Sequence, residues 1–335
     1  MFLYALTAFL QVQVPGAAEK RIANIFKPLA TPGDLERQAA YLTMAVTAVI
    51  FVVVAGLIVY TVWRFRRKPD DDSCVEPAQV YGSNQIEAAW TIIPILIVFV
   101  LIGVSARVIA SVQNASPPAH ALKVRIVGHQ WWWEVQYPDY GFVTANEIHV
   151  PATPDGKQAT YVELTSVDVI HSFWIPQLAG KMDLIPNRVN YMWIDPREPG
   201  VYVGNCAEYC GTQHANMLLR VIADTPQDFQ TWTQQQQTPA VSDLQLSPAR
   251  DAFGALACVN CHQIRGTPSV GKFGPDLTHL MSRQTLAAGV LVNDTKNLRA
   301  WLNDPQDAKP GCFMPSMKLT DQELDQVVSY LQSLK

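Results

Sequence analysis

The sequence contains no stretch of lysine and arginine interleaved with aromatic residues, and its net charge is only −4. A nucleic-acid groove needs a positive track with stacking platforms, so nucleic acid is excluded as a partner. No internal repeat is present and no transit peptide is evident. The opening MFLYALTAFLQVQVPGAA lacks the basic start of a secretory signal, which leaves residues 1–38 as an N-terminal segment of only partly signal-like character. Between 121 and 223 no helical period is sustained, which disfavours an α/β sheet there. What is abundant instead is apolar residues, 49% of a 335-residue chain. That is high for a soluble enzyme of two or three domains and points to a membrane portion.

Two uncharged runs account for the excess. Ala39–Val62 (AAYLTMAVTAVIFVVVAGLIVYTV) and Ala88–Ala106 (AAWTIIPILIVFVLIGVSA) each approach the roughly 20 residues that cross a hydrocarbon core. They predict a transmembrane helix hairpin over 39–107, in which a lone Pro94 is tolerated. Arg64, Arg66, Arg67 and Lys68 follow the first run directly, and the positive-inside rule counts these while largely ignoring Asp70–Asp72. The connection is therefore expected in the cytoplasm and everything after Arg107 on the outer face. In an oxidising compartment, close cysteine pairs become disulfides unless a metal or covalent cofactor claims them. Cys206/Cys210 and Cys258/Cys261 are such pairs; Cys74 and Cys312 are left without a role.

The text then changes character. KVRIVGHQWWWEVQY, EIHVPA, YVELTSVDVIHSFWI, NYMWID and VYVGNC are short β-branched and aromatic runs separated by turn residues. They predict an all-β sandwich or barrel over 121–224. Residues 225–246, TPQDFQTWTQQQQTPAVSDLQL, are rich in Gln, Pro, Ser and Thr and read as a linker. Residues 247–335 read as a small helical domain. Ser247 caps a helix with Pro248 at its first position, and Thr320 with Glu323 forms a capping box.

Cys258–His262 reads CVNCH, the haem c attachment pattern. Two thiols add to two haem vinyl groups, and the adjacent His262 is carried under the iron as an axial ligand. The opposite ligand is expected from FMPSM: Met314, with Met317 as the alternative, since thioether ligation raises the potential of a cytochrome c. A disulfide or half a zinc site is the competing reading. GPDLTHL, Gly274–Leu280, resembles the cytochrome c loop whose proline carbonyl receives the proximal histidine's N–H. That resemblance implies that Pro275 orients His262.

The stretch GNCAEYCGTQHANM, Gly204–Met217, brings two cysteines, His214 and Met217 together. With one distant histidine this set could form a Cys2His2 zinc site, a strained disulfide or a copper site. The second histidine of an H-x(3–5)-H pair is missing, and thiolate and thioether are soft donors that suit copper. Two cysteines four residues apart suggest two coppers bridged by two thiolates.

From about residue 30 onward the chain resembles subunit II of a haem–copper cytochrome c oxidase, in the bacterial caa3 form with a fused C-terminal cytochrome c domain. The resemblance rests on IEAAWTIIP, GHQWWWEVQY, IHSFWIP, KMDLIPNR, CAEYCGTQHANM and CVNCH. It implies a cupredoxin sandwich holding a binuclear copper A centre and a class I cytochrome c domain. Cys206 and Cys210 would bridge the coppers, His171 and His214 supply nitrogens, and Met217 and the Glu208 carbonyl serve as axial ligands. The Glu208 carboxylate would also reach a magnesium ion at the subunit I interface. His120, His129, His149 and His279 are left as ordinary histidines.

The resemblance further implies that Trp131 is the exposed aromatic through which electrons reach copper A. Strand alternation puts Trp131 and Trp133 on one face and Trp132 on the other. Glu87 matches a glutamate at the mouth of a proton channel, although the helix dipole alone would also favour an acid there. KMDLIPNR carries Asn187 where the family has glycine, and Asn tolerates the left-handed turn better than most residues. The implied role is transfer from haem c to copper A and on to subunit I, where oxygen is reduced to water with proton pumping. Implied partners are subunit I, subunit III and, as donor, a cytochrome c or a quinol:cytochrome c reductase. The implied setting is the bacterial plasma membrane with both redox domains on its periplasmic face. Another copper A protein, such as a nitric-oxide reductase, and a membrane-tethered copper chaperone are the rivals; a covalent haem is of no use to the latter.

Overall fold

A computed structural model describes residues 24–66, 79, 81–113, 121–155, 158–240 and 247–335. Arg67, Lys68, Asp70–Asp72, Cys74, His120 and the signal-like start lie outside the described residues. The apolar runs form α1 (Thr31–Arg64) and α2 (Asn84–Gln113), each extending past the uncharged stretch at both ends. No side chain in the most apolar window of either helix is buried within the protein. Such exposure would be prohibitive in water and is the natural state of a helix in lipid. α2 runs through Pro94 without a break, and Glu87 sits in its first turn.

The β-rich segment is a sandwich of two five-stranded sheets. Its strands are β1 (Leu122–His129), β2 (Trp132–Tyr137), β3 (Phe142–Ala145), β4 (Glu147–Pro151), β5 (Thr160–Ser166), β6 (His171–Trp174), β7 (Met182–Leu184), β8 (Asn190–Ile194), β9 (Gly200–Cys206) and β10 (Leu218–Asp224). One sheet has the order β3-β2-β1-β5-β8 and the other β4-β10-β9-β6-β7. Alternation decides what fills the space between them: Trp133, Val135 and Tyr137 of β2 meet Phe173 of β6 and Val221 of β10 in one core.

Two runs that read as single strands are broken by turns. KVRIVGHQWWWEVQY is a hairpin in which Gln130 and Trp131 form the turn and His129 pairs with Trp132. Trp131 thereby leaves the strand register, so alternation does not govern it; Trp133 enters the core and Trp132 stacks on His129 with ring centres 4.2 Å apart. YVELTSVDVIHSFWI is split into β5 and β6, which belong to opposite sheets. Asn187 adopts φ 62°, the left-handed conformation that asparagine tolerates better than most residues.

The stretch read as a linker is in large part helix. Thr225 caps α3 (Pro226–Gln237) by accepting the Asp228 N–H. Phe229 and Trp232, three apart on one face, pack on the sandwich core, and Trp232 stacks on His149 at 4.1 Å. Two aromatics in a glutamine-rich background suffice to dock a helix while leaving a linker-like composition.

The C-terminal domain comprises α4 (Ser247–Ala255), α5 (Cys258–Cys261), α6 (Thr295–Asn303), α7 (Pro305–Ala308) and α8 (Asp321–Gln332), with a two-residue ladder of β11 (Thr285–Leu286) and β12 (Leu291–Val292). Both arms of the Thr320–Glu323 capping box are formed. Phe253, Leu298, Val327 and Leu331 centre its own core. If α3 is an integral part of the sandwich, Phe229→Ala should cost about 3 kcal/mol. Calorimetry of the full chain should show the sandwich transition lowered and the helical-domain transition little moved.

Candidate metal centre and haem pocket

Cys206 ends β9, His171 begins β6, and the loop between β9 and β10 supplies Glu208, Cys210, His214 and Met217. Backbone bonds fix the loop at both ends: Met217 O accepts the Cys206 N–H at 2.9 Å, and Ser172 O accepts the Ala207 N–H at 2.9 Å. The two thiols are free and their sulfurs lie 3.8 Å apart, far beyond the roughly 2.05 Å of a disulfide.

The remaining donors divide evenly between them. Near Cys206 Sγ are His171 Nδ1 at 3.9 Å and the Glu208 carbonyl at 3.2 Å. Near Cys210 Sγ are His214 Nδ1 at 3.7 Å and Met217 Sδ at 3.8 Å. Each thiol thus has one imidazole and one weaker donor. Cys206, Cys210, His171 and Met217 are buried. The soft, buried and symmetric set, with a thioether among its donors, fits a pair of coppers.

Proton affinities point the same way. Contact between the thiols, with His171 adding to it, drives the Cys206 pKa down, and the same contact drives that of Cys210 up. Burial is the largest single influence on His171 and lowers its pKa, but the hydrogen bonds and charges of Asp168 and Cys206 together outweigh it, so the net direction is upward. Asp168 Oδ1 lies 2.9 Å from His171 Nε2, while Oδ2 accepts the Gln130 N–H at 2.6 Å. That carboxylate fixes the ring so that Nδ1 faces the sulfurs. Asp168 gives no signal in the sequence, since only the fold brings the 168–171 turn beneath residue 130.

Trp131 departs from its expected exposure. It is 7% exposed, with Phe313 of the helical domain over its ring at 5.0 Å. Its indole N–H donates to Cys210 O at 3.0 Å, and the Gln130 side-chain amide donates to the same oxygen at 2.7 Å. In this chain the helical domain itself covers the aromatic face.

A cavity of about 320 Å³ opens behind that contact, lined by Cys258, Cys261, His262, Met314, Met317 and Trp131 among others. His262 Nδ1 lies 2.8 Å from Pro275 O and donates to it, leaving Nε2 for the cavity. Burial lowers the pKa of His262, which favours the neutral, ligating ring. A Cβ on Gly274 would come within 2.6 Å of that ring, so only glycine lets this loop close over it. Free thiols, an oriented imidazole and a thioether at an apolar cavity fit a covalent haem.

The other described histidines are engaged elsewhere. His149 pairs with Asp224 at 2.7 Å, His279 lies between the carbonyls of Thr238 and Lys335, and His129 faces Glu134. The Glu208 carboxylate faces Lys181 at 3.4 Å; the metal-binding cluster among the described residues is that of His171, Cys206 and Cys210.

A membrane helix hairpin, a cupredoxin-like sandwich with a copper A-type site and a C-x-x-C-H helical domain define a membrane-bound electron carrier using copper and haem c. Models of the cytochrome c oxidase subunit II transmembrane domain, the subunit II periplasmic domain and cytochrome c match residues 25–108, 152–224 and 247–335. Cytochrome c oxidase subunit 2 of Alkalihalophilus pseudofirmus is 32% identical over 301 residues, covering 88% of this chain and 85% of that one. The Bacillus subtilis protein of the same description is 30% identical over 361 residues, covering 99% and 97%. The crystallised periplasmic domain of subunit II of cytochrome oxidase from Bradyrhizobium japonicum is 29% identical with a TM-score of 0.34, over 36% of this chain and 97% of that one. The chain belongs to the cytochrome c oxidase subunit 2 family: it is subunit II of a haem–copper terminal oxidase, with a fused cytochrome c domain, and passes electrons to subunit I. Its copper domain is periplasmic, and its two N-terminal helices span the membrane.

Replacing Asp168 by Asn should weaken copper retention about 10-fold or more, as outer carboxylates on metal-bound histidines do. Competition with a copper chelator, followed by metal analysis, measures it.

Proposed function

We propose that Cys206 and Cys210 would together hold two coppers, with His171 and the Glu208 carbonyl beside the first thiol and His214 and Met217 beside the second. The observation that carries this reading is the even division of nitrogen and weak donors about two unbonded thiols 3.8 Å apart. Bound there, the metal pair supplies one-electron exchange shared over both ions. The chain's contribution is rigidity and dryness. Asp168 holds one imidazole, the backbone bonds of Cys206 and Ala207 hold the loop ends, and the core excludes water, so little needs to rearrange as charge changes.

In the same reading Cys258 and Cys261 would hold haem c, with His262 and Met314 as the side chains offered to its iron and Pro275 orienting His262. Met314 is favoured over Met317 because it packs against the helical domain's core. Trp131 lies between the two sites, touching Phe313 on the haem side and the Cys210 carbonyl on the copper side. With haem c and copper bound, an electron from a cytochrome c or a quinol:cytochrome c reductase would enter at the helical domain and leave toward subunit I by way of the Trp131 contact; subunit III would complete the complex. Glu87 lies near a proton path into subunit I, supported by its place at the start of α2. Magnesium at Glu208 has no support within this chain and is left out of the proposal.

Metal analysis of the loaded protein tests the centre: two coppers per chain with a mixed-valence EPR signal are expected, and a single zinc would overturn the assignment. Cys210→Ser should leave at most one copper. For the haem, Met314→Ala should abolish the sulfur-to-iron absorption band while Met317→Ala keeps it. The reverse result would exchange the two.

A further inference from the structure

Two ionisable side chains are buried where the helical domain meets the sandwich, and each is satisfied by the other domain's backbone or across the boundary between them. Lys309, just after α7, is 3% exposed; its Nζ donates to Trp131 O at 2.9 Å and to Ala287 O at 3.4 Å. Glu147, the first residue of β4, is 2% exposed. Its carboxylate accepts the Gln284 N–H at 2.9 Å, the Thr285 N–H at 2.8 Å and the Thr285 hydroxyl at 2.6 Å. Among the described residues neither forms a salt bridge.

Groups of this kind are costly to bury and tolerate no slip. A small sliding of the domains would leave a carboxylate or an amine without water and without its partners. Burial pushes the Lys309 pKa down to about 7; charged or neutral, its nitrogen keeps donors for these two carbonyls. The backbone between the anchors is fitted to the same pose. Ala288 O accepts the Leu218 N–H at 3.1 Å, and a Cβ on Gly289, at φ 83°, would come within 2.8 Å of the Leu218 side chain. Lys309 also lines the haem cavity, so the residue that grips Trp131 belongs to the wall of the donor's pocket.

We propose that Lys309 and Glu147 are positioning residues that hold the haem domain in a single pose on the copper domain, with the haem cavity against Trp131, so that internal electron transfer needs no docking step. The proposal rests on the reading that haem c occupies this cavity and that Trp131 lies on the path.

The test uses the complete, metal-loaded oxidase and three variants, Lys309→Met, Glu147→Ala and Glu147→Gln. Pulsed EPR relaxation gives the haem c to copper A distance, and flash-induced injection gives the rate between them. One narrow distance is expected in the parent. Lys309→Met and Glu147→Ala should broaden it and slow transfer about 10-fold or more, since small misplacements have large rate effects. Glu147→Gln, which keeps one accepting oxygen, should fall between. The copper near-infrared and haem bands should stay unchanged, which a general loss of structure would not allow. Unchanged distance and rate in Lys309→Met would overturn the proposal, whether or not Glu147→Ala assembles. Slowed transfer in these variants, alongside an unaffected Trp131→Leu, would uphold the positioning role and remove Trp131 from the path.

Discussion

The carbonyl of Cys210 is the point on which the outer part of this subunit turns. It accepts the indole N–H of Trp131 and the side-chain amide of Gln130, both from the β1–β2 turn. A hydrogen bond to a metal-site loop fixes the loop, and the same bond fixes the ring that makes it. Because the other face of that ring meets Phe313, the shape of the copper loop and the seating of the haem domain depend on one side chain. A large aromatic with a polar edge is suited to this, since it fills an apolar contact while its N–H stays satisfied.

Rigidity around the thiols follows from the same economy of contacts. His171 is held by Asp168, which also takes the Gln130 N–H, so the turn carrying Trp131 and the turn carrying the histidine share a carboxylate. Moving either turn would disturb both the His171 ring and the Trp131 contact. On the haem side, Pro275 O holds His262, and Gly274 gives the ring room to be held. Each centre is thus fixed by a partner outside its own set of donors, a condition for exchanging electrons without large rearrangement.

Much of this was legible in the sequence, and the exceptions share a cause. The membrane helices follow from uncharged length, the capping box at Thr320 from local spacing, and a cytochrome c domain from CVNCH. The cluster Cys206–Met217 declares itself as soft donors, whereas His171, far away in sequence, is tied to it only by family resemblance. The exposure expected of Trp131 came from family resemblance, and nothing local in the sequence shows that Phe313 of the helical domain covers it. The helix at Pro226–Gln237 was hidden because its docking face consists of Phe229 and Trp232 amid glutamines. Asp168, Glu147 and Lys309 could not be singled out, because an ionisable residue reads as surface until the fold buries it.

The central claim is that haem c and copper A sit in one fixed body, with the tryptophan contact already made before an electron arrives. Diffusional docking slows as solvent viscosity rises and responds to salt, which screens the approach of charged surfaces. Transfer across a standing contact does neither. The most direct measurement is the rate from haem c to copper A after flash reduction in the intact oxidase, across a series of glycerol and salt concentrations. A first-order rate that is flat in both series is the predicted result; a rate that falls with viscosity or shifts with ionic strength would contradict the fixed pose.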